Sequence, residues 1–136
     1  YVLLPLAGHT VAIVGLTGSE GFPQTAPVAG QENLTLTDPL DAAREYVAAV
    51  SSQADIIILL SNAGLLVNQI IAQKLPDVDV IVTGGTGTLT APIRYDEGHA
   101  VLAEAGYRGE WLGQMALEFD AGGKVISFQG EAVAVA

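Results

Sequence analysis

The sequence contains no cysteine, which excludes disulfide bonds, thiolate metal sites and cysteine nucleophiles. Basic residues are also scarce, since 5 Lys and Arg stand against 15 Asp and Glu and the formal net charge is −10. A field of this sign repels phosphate backbones and anionic lipid headgroups, so we expect neither a nucleic-acid partner nor a membrane partner. No apolar run reaches the roughly 18 residues that a membrane span needs. We therefore expect a soluble chain without a signal peptide.

The 136 residues, half of them apolar, suffice for one domain with a buried core. Apolar runs with β-branched residues predict buried strands, and apolar residues at helical spacing predict helices. Asp38 and Pro39 mark a helix start, because Asp caps free amides and Pro suits the first helical position. The predicted elements are strands at 1–6, 11–17, 55–60 and 79–83, helices at 38–52 and 65–75, and strands at 100–105, 111–119 and 125–129. The segment 18–37, between the predicted strand 11–17 and the predicted helix 38–52, is predicted to be a loop.

The order of these elements predicts an α/β fold, in which a mixed β-sheet carries both helices on one face and an antiparallel meander follows. The helices share a face because parallel crossovers are right-handed, and residues 120–123 form the turn of a hairpin. The other face of the sheet then lacks cover, and we expect self-association through it. We expect residues 1–136 to form a single domain. Because the chain begins at Tyr1 within a predicted strand, we also expect it to be a piece of a longer protein.

The glycine-rich segment 84–88 is the first candidate site, since glycine lets a backbone approach a phosphate and direct its amides toward it. A dinucleotide fingerprint is not satisfied, because Thr90 stands where glycine is required and no helix follows. The segment lacks the lysine of a phosphate-binding loop. A turn at the end of a strand is therefore the favoured interpretation, and an anion cradle is the alternative.

Other candidate chemistry is weak. His9 and His99 are in predicted turns without further ligands at metal spacing, so we interpret them as solvated turn residues. The pairs Asp77/Asp79 and Asp96/Glu97 are interpreted as solvated surface in so acidic a chain, although a hard-cation site is the alternative. We predict no catalytic residue and no metal ligand in this chain.

Several segments taken together carry a resemblance to a known family: Val11 to Thr17, Asp38-Pro39 before a helix, Ala54 to Gly64, and Asp79 to Thr88. They resemble the calcineurin-like metallophosphoesterases of the 5'-nucleotidase group, and the match corresponds to the C-terminal half of the catalytic domain. Family members have leucine-serine-histidine-x-glycine at the third segment and glycine-histidine-x-histidine at the fourth. The resemblance implies hydrolysis of small phosphoesters by two metal ions, such as Mn or Zn, held mainly by ligands from the other half of the domain.

The family's histidines fall on Asn62, Gly85 and Gly87 in this sequence. A neutral amide is a weak metal ligand and glycine has no side chain, so the resemblance implies a degenerate metal site without a cofactor in this chain. The residues that line the former site or bind substrate are Asn62, Gly64, Gly85, Thr86, Gly87 and Thr88.

Two explanations of these replacements remain open. The whole protein is either a divergent phosphatase whose N-terminal half supplies the ligands, or a non-catalytic binding or structural module on the same fold. In both cases we expect the isolated chain to be inactive, with the N-terminal half of the same domain as its partner and a small phosphoester as a candidate ligand. The resemblance also implies an extracytoplasmic location, which the composition leaves undetermined.

Overall fold

The computed structural model describes residues 1–18, 36–95 and 99–135. Most of the predicted loop at 18–37, and the pair Asp96/Glu97, lie outside these residues. The elements are β1 (Val2–Leu6), β2 (His9–Thr17), α1 (Pro39–Val50), β3 (Ile56–Asn62), α2 (Leu65–Lys74), β4 (Val80–Thr83), β5 (Leu89–Ile93), β6 (Val101–Ala105), β7 (Trp111–Phe119) and β8 (Val125–Ala134).

The first six strands form one mixed sheet in the order β1-β2-β3-β4-β6-β5, and β7 and β8 form a separate antiparallel pair. Strands β2, β3, β4 and β6 run parallel, while β1 and β5 are antiparallel to their neighbours at the two edges. The α/β class and the mixed sheet predicted from the sequence are confirmed.

Two details of the second half differ from the prediction. The sequence assigns 100–105 to an antiparallel meander, but β6 pairs in parallel with β4. The strand β5, which was not predicted, lies antiparallel to β6 at the sheet edge. It contains Pro92, which has no amide to donate and which an edge strand with a register shift can accommodate. The antiparallel pairing predicted for 111–119 and 125–129 is confirmed.

Helix α1 begins as its sequence predicts. The Asp38 carboxylate accepts hydrogen bonds from the amides of Leu40, at 2.9 Å, and Asp41, at 3.2 Å. Its buried residues Ala43, Val47 and Val50 recur at helical spacing. The helix ends at Val50, slightly before the predicted end.

Both helices pack on one face of the sheet, as predicted. The inward residues of the strands and of the two helices form a single buried cluster, which contains among others Val14, Leu59, Ile81, Leu102, Val47 and Ile71. Because these strand residues are cross-strand neighbours, the cluster crosses the sheet from β2 to β6. Among the described residues, no helix has the length and apolar character that crossing a lipid bilayer requires.

The other face of the sheet is only partly covered. The hairpin of β7 and β8 packs against β5 and β6, and Val80 and Val101 on this face are buried. Leu60 and Val82, which are cross-strand neighbours on the same face, remain 48% and 41% exposed. Val2 and Leu4 of β1 extend this exposed apolar surface, which we call the open face. The prediction that one face lacks cover is confirmed for this part of the sheet.

Candidate functional site

The two loops singled out by the sequence lie side by side. One follows β3 and the other follows β4, and these strands are parallel neighbours with Ser61 opposite Thr83. The carboxyl ends of parallel strands form the edge at which α/β folds bind their ligands. The structure therefore brings Asn62 and Gly85 together, although they are 23 positions apart in the sequence.

Asn62 and Gly85 are in direct contact. A side chain at position 85 would run into the Oδ1 atom of Asn62, and Gly85 has a φ of +91°, which L side chains rarely adopt. The Asn62 side chain thus occupies the place where a side chain at 85 would begin. The backbone of Asn62 is held as well, because its carbonyl accepts a hydrogen bond of 3.1 Å from the amide of Gly18.

A fully buried amide, Asn68 of α2, connects the ends of the two strands. Its Oδ1 accepts a 2.6 Å hydrogen bond from the Ser61 hydroxyl, and its Nδ2 donates to the Thr83 hydroxyl at 2.8 Å. The Ser61 oxygen also accepts from the amide of Ala63, at 3.2 Å. One side chain therefore fixes the last residues before both loops.

The buried carboxylate of Glu104, on β6, binds the glycine-rich loop from the inside of the protein. Its Oε1 accepts from the amides of Thr86, at 3.2 Å, and Gly87, at 3.1 Å, and its Oε2 accepts from the Thr86 hydroxyl at 2.7 Å. The end of the loop is fixed too, because the Thr88 carbonyl accepts from the amide of Gly106 at 3.0 Å. The amides of Thr86 and Gly87 and the hydroxyl of Thr86 therefore point into the protein.

The outer side of this loop borders an aromatic residue. Gly87, with a φ of +76°, approaches the Tyr107 ring closely enough that a side chain atom there would contact it at 3.7 Å. The Arg108 guanidinium lies 5.3 Å from the centre of the same ring. Gly85, Thr86, Gly87 and Tyr107 line an open surface depression. Gly64, which precedes α2 with a φ of +84°, completes the first loop.

Carboxylates gather at the opposite end of the sheet. Asp55 accepts from the amide of Thr10, and Asp79 accepts from the amide of Ile57, each at 2.8 Å. His9 lies here too, with its Nδ1 3.8 Å from Asp55, and is half exposed. His99 is also exposed, and its backbone amide donates to the Ala72 carbonyl at 3.2 Å.

The interpretation of Asp79 as solvated surface is wrong. The residue is only 6% exposed, since its carboxylate turns inward to the strand amide. Burial raises the pKa of the Asp79 carboxyl above its ordinary value, while the hydrogen bond from Ile57 and the charge of Lys124 act in the opposite direction. Within the three described ranges, no group of three or more His, Asp or Glu side chains is arranged to hold a metal ion.

Sequence reasoning missed Asn68 and Glu104, the two residues that organise the site. Each was a polar residue within an apolar segment, Asn68 in a predicted helix and Glu104 in a predicted strand. Such interruptions indicate a buried polar group that needs a partner. The partners of Asn68 depend on the pairing of β3 with β4. Those of Glu104 depend on the pairing of β4 with β6, which the sequence did not reveal.

No protein-family model matches the sequence. An uncharacterised metallophosphoesterase of Bacillus subtilis is 34% identical over 113 residues, which cover 83% of this chain and 23% of that protein. Human 5'-nucleotidase is 29% identical over an alignment that covers 98% of this chain and 26% of the human protein. The chain thus spans about a quarter of the length of these relatives.

Solved structures agree in fold. A Haemophilus influenzae NAD nucleotidase superposes with a TM-score of 0.85 at 24% identity, over 98% of this chain and 30% of that chain. A 5'-nucleotidase precursor from Thermus thermophilus superposes with a TM-score of 0.81, also at 24% identity, over 98% of this chain and 29% of that chain. The fold and the sequence relatives together show that this chain is homologous to a segment of the metallophosphoesterases. Within that class it is homologous to a segment of the 5'-nucleotidase group, so the resemblance stated from the sequence is confirmed.

Proposed function

We propose that this chain is the C-terminal part of a 5'-nucleotidase-type catalytic domain that acts on small phosphoesters, and that it is inactive when isolated. The observation that carries the proposal is the pair of adjacent loops at the carboxyl ends of β3 and β4. By the family motifs, their positions Asn62, Gly85 and Gly87 correspond to metal-binding histidines. They offer one exposed amide and two glycines in place of three imidazoles.

The residues of these loops do not fit a divalent metal site on their own. A neutral amide oxygen is a weak ligand for the metals that imidazole suits. The described residues supply no further cluster of ligands beside it. In the parent family Mn, Zn or similar ions are expected, and in this protein their ligands would come from outside the segment. No step of a reaction is assigned to these residues.

The proposed partner is the N-terminal half of the same domain. The open face supports this assignment, because Leu60 and Val82 are large apolar residues left uncovered beside a covered part of the same sheet. The chain's coverage of about a quarter of its relatives supports it as well. Without the partner, the open face should drive self-association. An extracytoplasmic location is part of the proposal, supported by the solved neighbour described as a precursor.

The second candidate is a non-catalytic binding or structural module. Two contacts favour it: the Asn62 side chain fills the space above Gly85, and Glu104 takes the amides of the glycine-rich loop. A phosphoester in the open depression beside this loop would then find the amides of Thr86 and Gly87 already bonded, and it would meet the Tyr107 ring and the exposed Asn62 amide instead.

Metal titration and a phosphatase assay test the first candidate. We expect the purified chain to show neither stoichiometric binding of Mn²⁺ or Zn²⁺ by calorimetry nor turnover of a generic aryl phosphate. Tight stoichiometric binding would contradict the proposal, because it would require a metal site within this segment. A Gln73→His variant adds one histidine on the exposed surface of α2 and serves as a control for metal binding by an isolated imidazole.

A chimera separates the two candidates. The N-terminal segment of the Bacillus subtilis relative is joined to this chain, either unchanged or with Asn62→His, Gly85→His and Gly87→His together. If the chain is a divergent catalytic half, the unchanged chimera turns over the aryl phosphate when metal is added. If it is a non-catalytic module, only the histidine-bearing chimera does so. Inactivity of both chimeras in a folded state would count against the catalytic-half assignment.

A further inference from the structure

Three donors of the glycine-rich loop converge on one carboxylate. The amides of Thr86 and Gly87 meet at the Oε1 atom of Glu104, and the Thr86 hydroxyl donates to Oε2. Successive backbone amides aimed at one anionic oxygen are the arrangement by which glycine-rich loops hold phosphate. Here a side chain of the protein itself fills that position.

Glu104 is only 3% exposed. Among the described residues no basic side chain forms a salt bridge with it, since the contacts of this kind join Arg44 to Asp41 and His9, which is charged only when protonated, to Asp55. A buried carboxylate is stabilised when donors satisfy its oxygens. The loop and Glu104 therefore depend on each other: the loop satisfies the carboxylate, and the carboxylate directs the loop amides inward.

We propose that Glu104 is an internal anion that occupies the anion cradle of the glycine-rich loop and so positions this loop beside Asn62. Two positive-φ glycines would otherwise leave the loop free to take many conformations. With Glu104 in place, Gly85 is held under the Asn62 side chain and Gly87 against Tyr107. A free phosphate or the phosphoryl group of a substrate does not use these amides while Glu104 fills them.

The inference deepens the proposed function, on which it rests only for the location of the loop at the former metal site. The anion class that fits an emptied cradle is a carboxylate or phosphate, because either presents oxygens to two amides and a hydroxyl. The readout below follows individual amides and not turnover, so its failure is distinguishable from failure of the phosphatase assignment.

Hydrogen exchange followed by NMR on Glu104→Ala tests the proposal. We expect exchange of the Thr86 and Gly87 amides to accelerate by roughly tenfold or more, because both lose their acceptor. Added acetate should restore their protection by replacing the missing carboxylate, and inorganic phosphate should shift the same two resonances. In the unsubstituted chain, phosphate should leave them unchanged. Glu118→Gln, an exposed acidic residue of β7, is the matched control and should change neither.

Three outcomes would overturn the proposal: unchanged exchange in Glu104→Ala, acceleration that neither anion reverses, or phosphate-dependent shifts of these amides in the unsubstituted chain. Glu104→Gln retains one acceptor for the two amides and should show an intermediate effect. If Glu104→Ala does not fold, Glu104→Gln gives the decision, because it alters the acceptor of the same two amides. Unchanged exchange at both Thr86 and Gly87 in that variant would contradict the arrangement.

Discussion

Replacing Asn68 by Leu should destabilise the chain far more than a typical surface substitution. The change removes two buried hydrogen bonds, to Ser61 and Thr83, and leaves both hydroxyls without that partner in an apolar surrounding. A buried hydrogen bond contributes about 1 kcal/mol net, and a buried group left unpaired costs about 1–3 kcal/mol. Allowing for relaxation, we expect the free energy of unfolding to fall by about 2–4 kcal/mol.

Equilibrium unfolding in urea measures this loss, and a combined variant tests its cause. In Asn68→Leu with Ser61→Ala and Thr83→Val, no hydroxyl remains to be left unpaired, and only the part-buried amide of Ala63 loses its Ser61 acceptor. Most of the lost stability should then return, because removing both partners of a hydrogen bond costs much less than removing one. The reasoning is refuted if Asn68→Leu unfolds within about 0.5 kcal/mol of the unsubstituted chain, the usual range of surface changes.

Three further predictions concern other parts of the structure. Gly85→Ala should lower the free energy of unfolding in urea by more than Gly8→Ala does. Both glycines have a φ near +90°, but only Gly85 lies under another side chain. Equal losses of about 1–2 kcal/mol each would indicate backbone strain alone. Because burial raises the folded-state pKa of Asp79, stability should fall as pH rises from the ordinary Asp pKa of about 3.9 through that raised value. Asp79→Asn should flatten this part of the stability profile, and an unchanged slope would contradict the assignment. Leu60→Lys on the open face should shift the isolated chain toward monomer in light scattering. Ala48→Lys, on the exposed side of α1, is the control and should not do so. A fully monomeric unsubstituted chain at high concentration would contradict self-association through the open face.

The sequence was sufficient for the parts of the fold that depend on local pattern. A few consecutive residues are enough to predict β2, β3 and β4 from their apolar runs. The same holds for the start of α1, which Asp38-Pro39 predicts. The edge strand β5 lacks such a pattern, because it spans only Leu89–Ile93 and contains Pro92, a residue that is disfavoured in strands. The direction of β6 could not be predicted either, since five apolar and acidic residues fit parallel and antiparallel neighbours equally well.

The same distinction applies to the site. The motifs indicated both loops, and the parallel pairing of β3 with β4 brings them together. Contact between Asn62 and Gly85, however, depends on backbone conformation at a positive φ. The roles of Asn68 and Glu104 depend on which strand neighbours which, a long-range property that no window of sequence contains.

The carboxylates at the amino ends of the strands have a consequence for substitutions at the other end of the sheet. Asp55 and Asp79 each accept a hydrogen bond from one amide near the start of a neighbouring strand. Both bonds lie at the end of the sheet remote from the two loops. Alignment of the parallel strands is thus stabilised at the end of the sheet remote from the candidate site. A substitution in either loop therefore leaves these two strand-aligning hydrogen bonds intact.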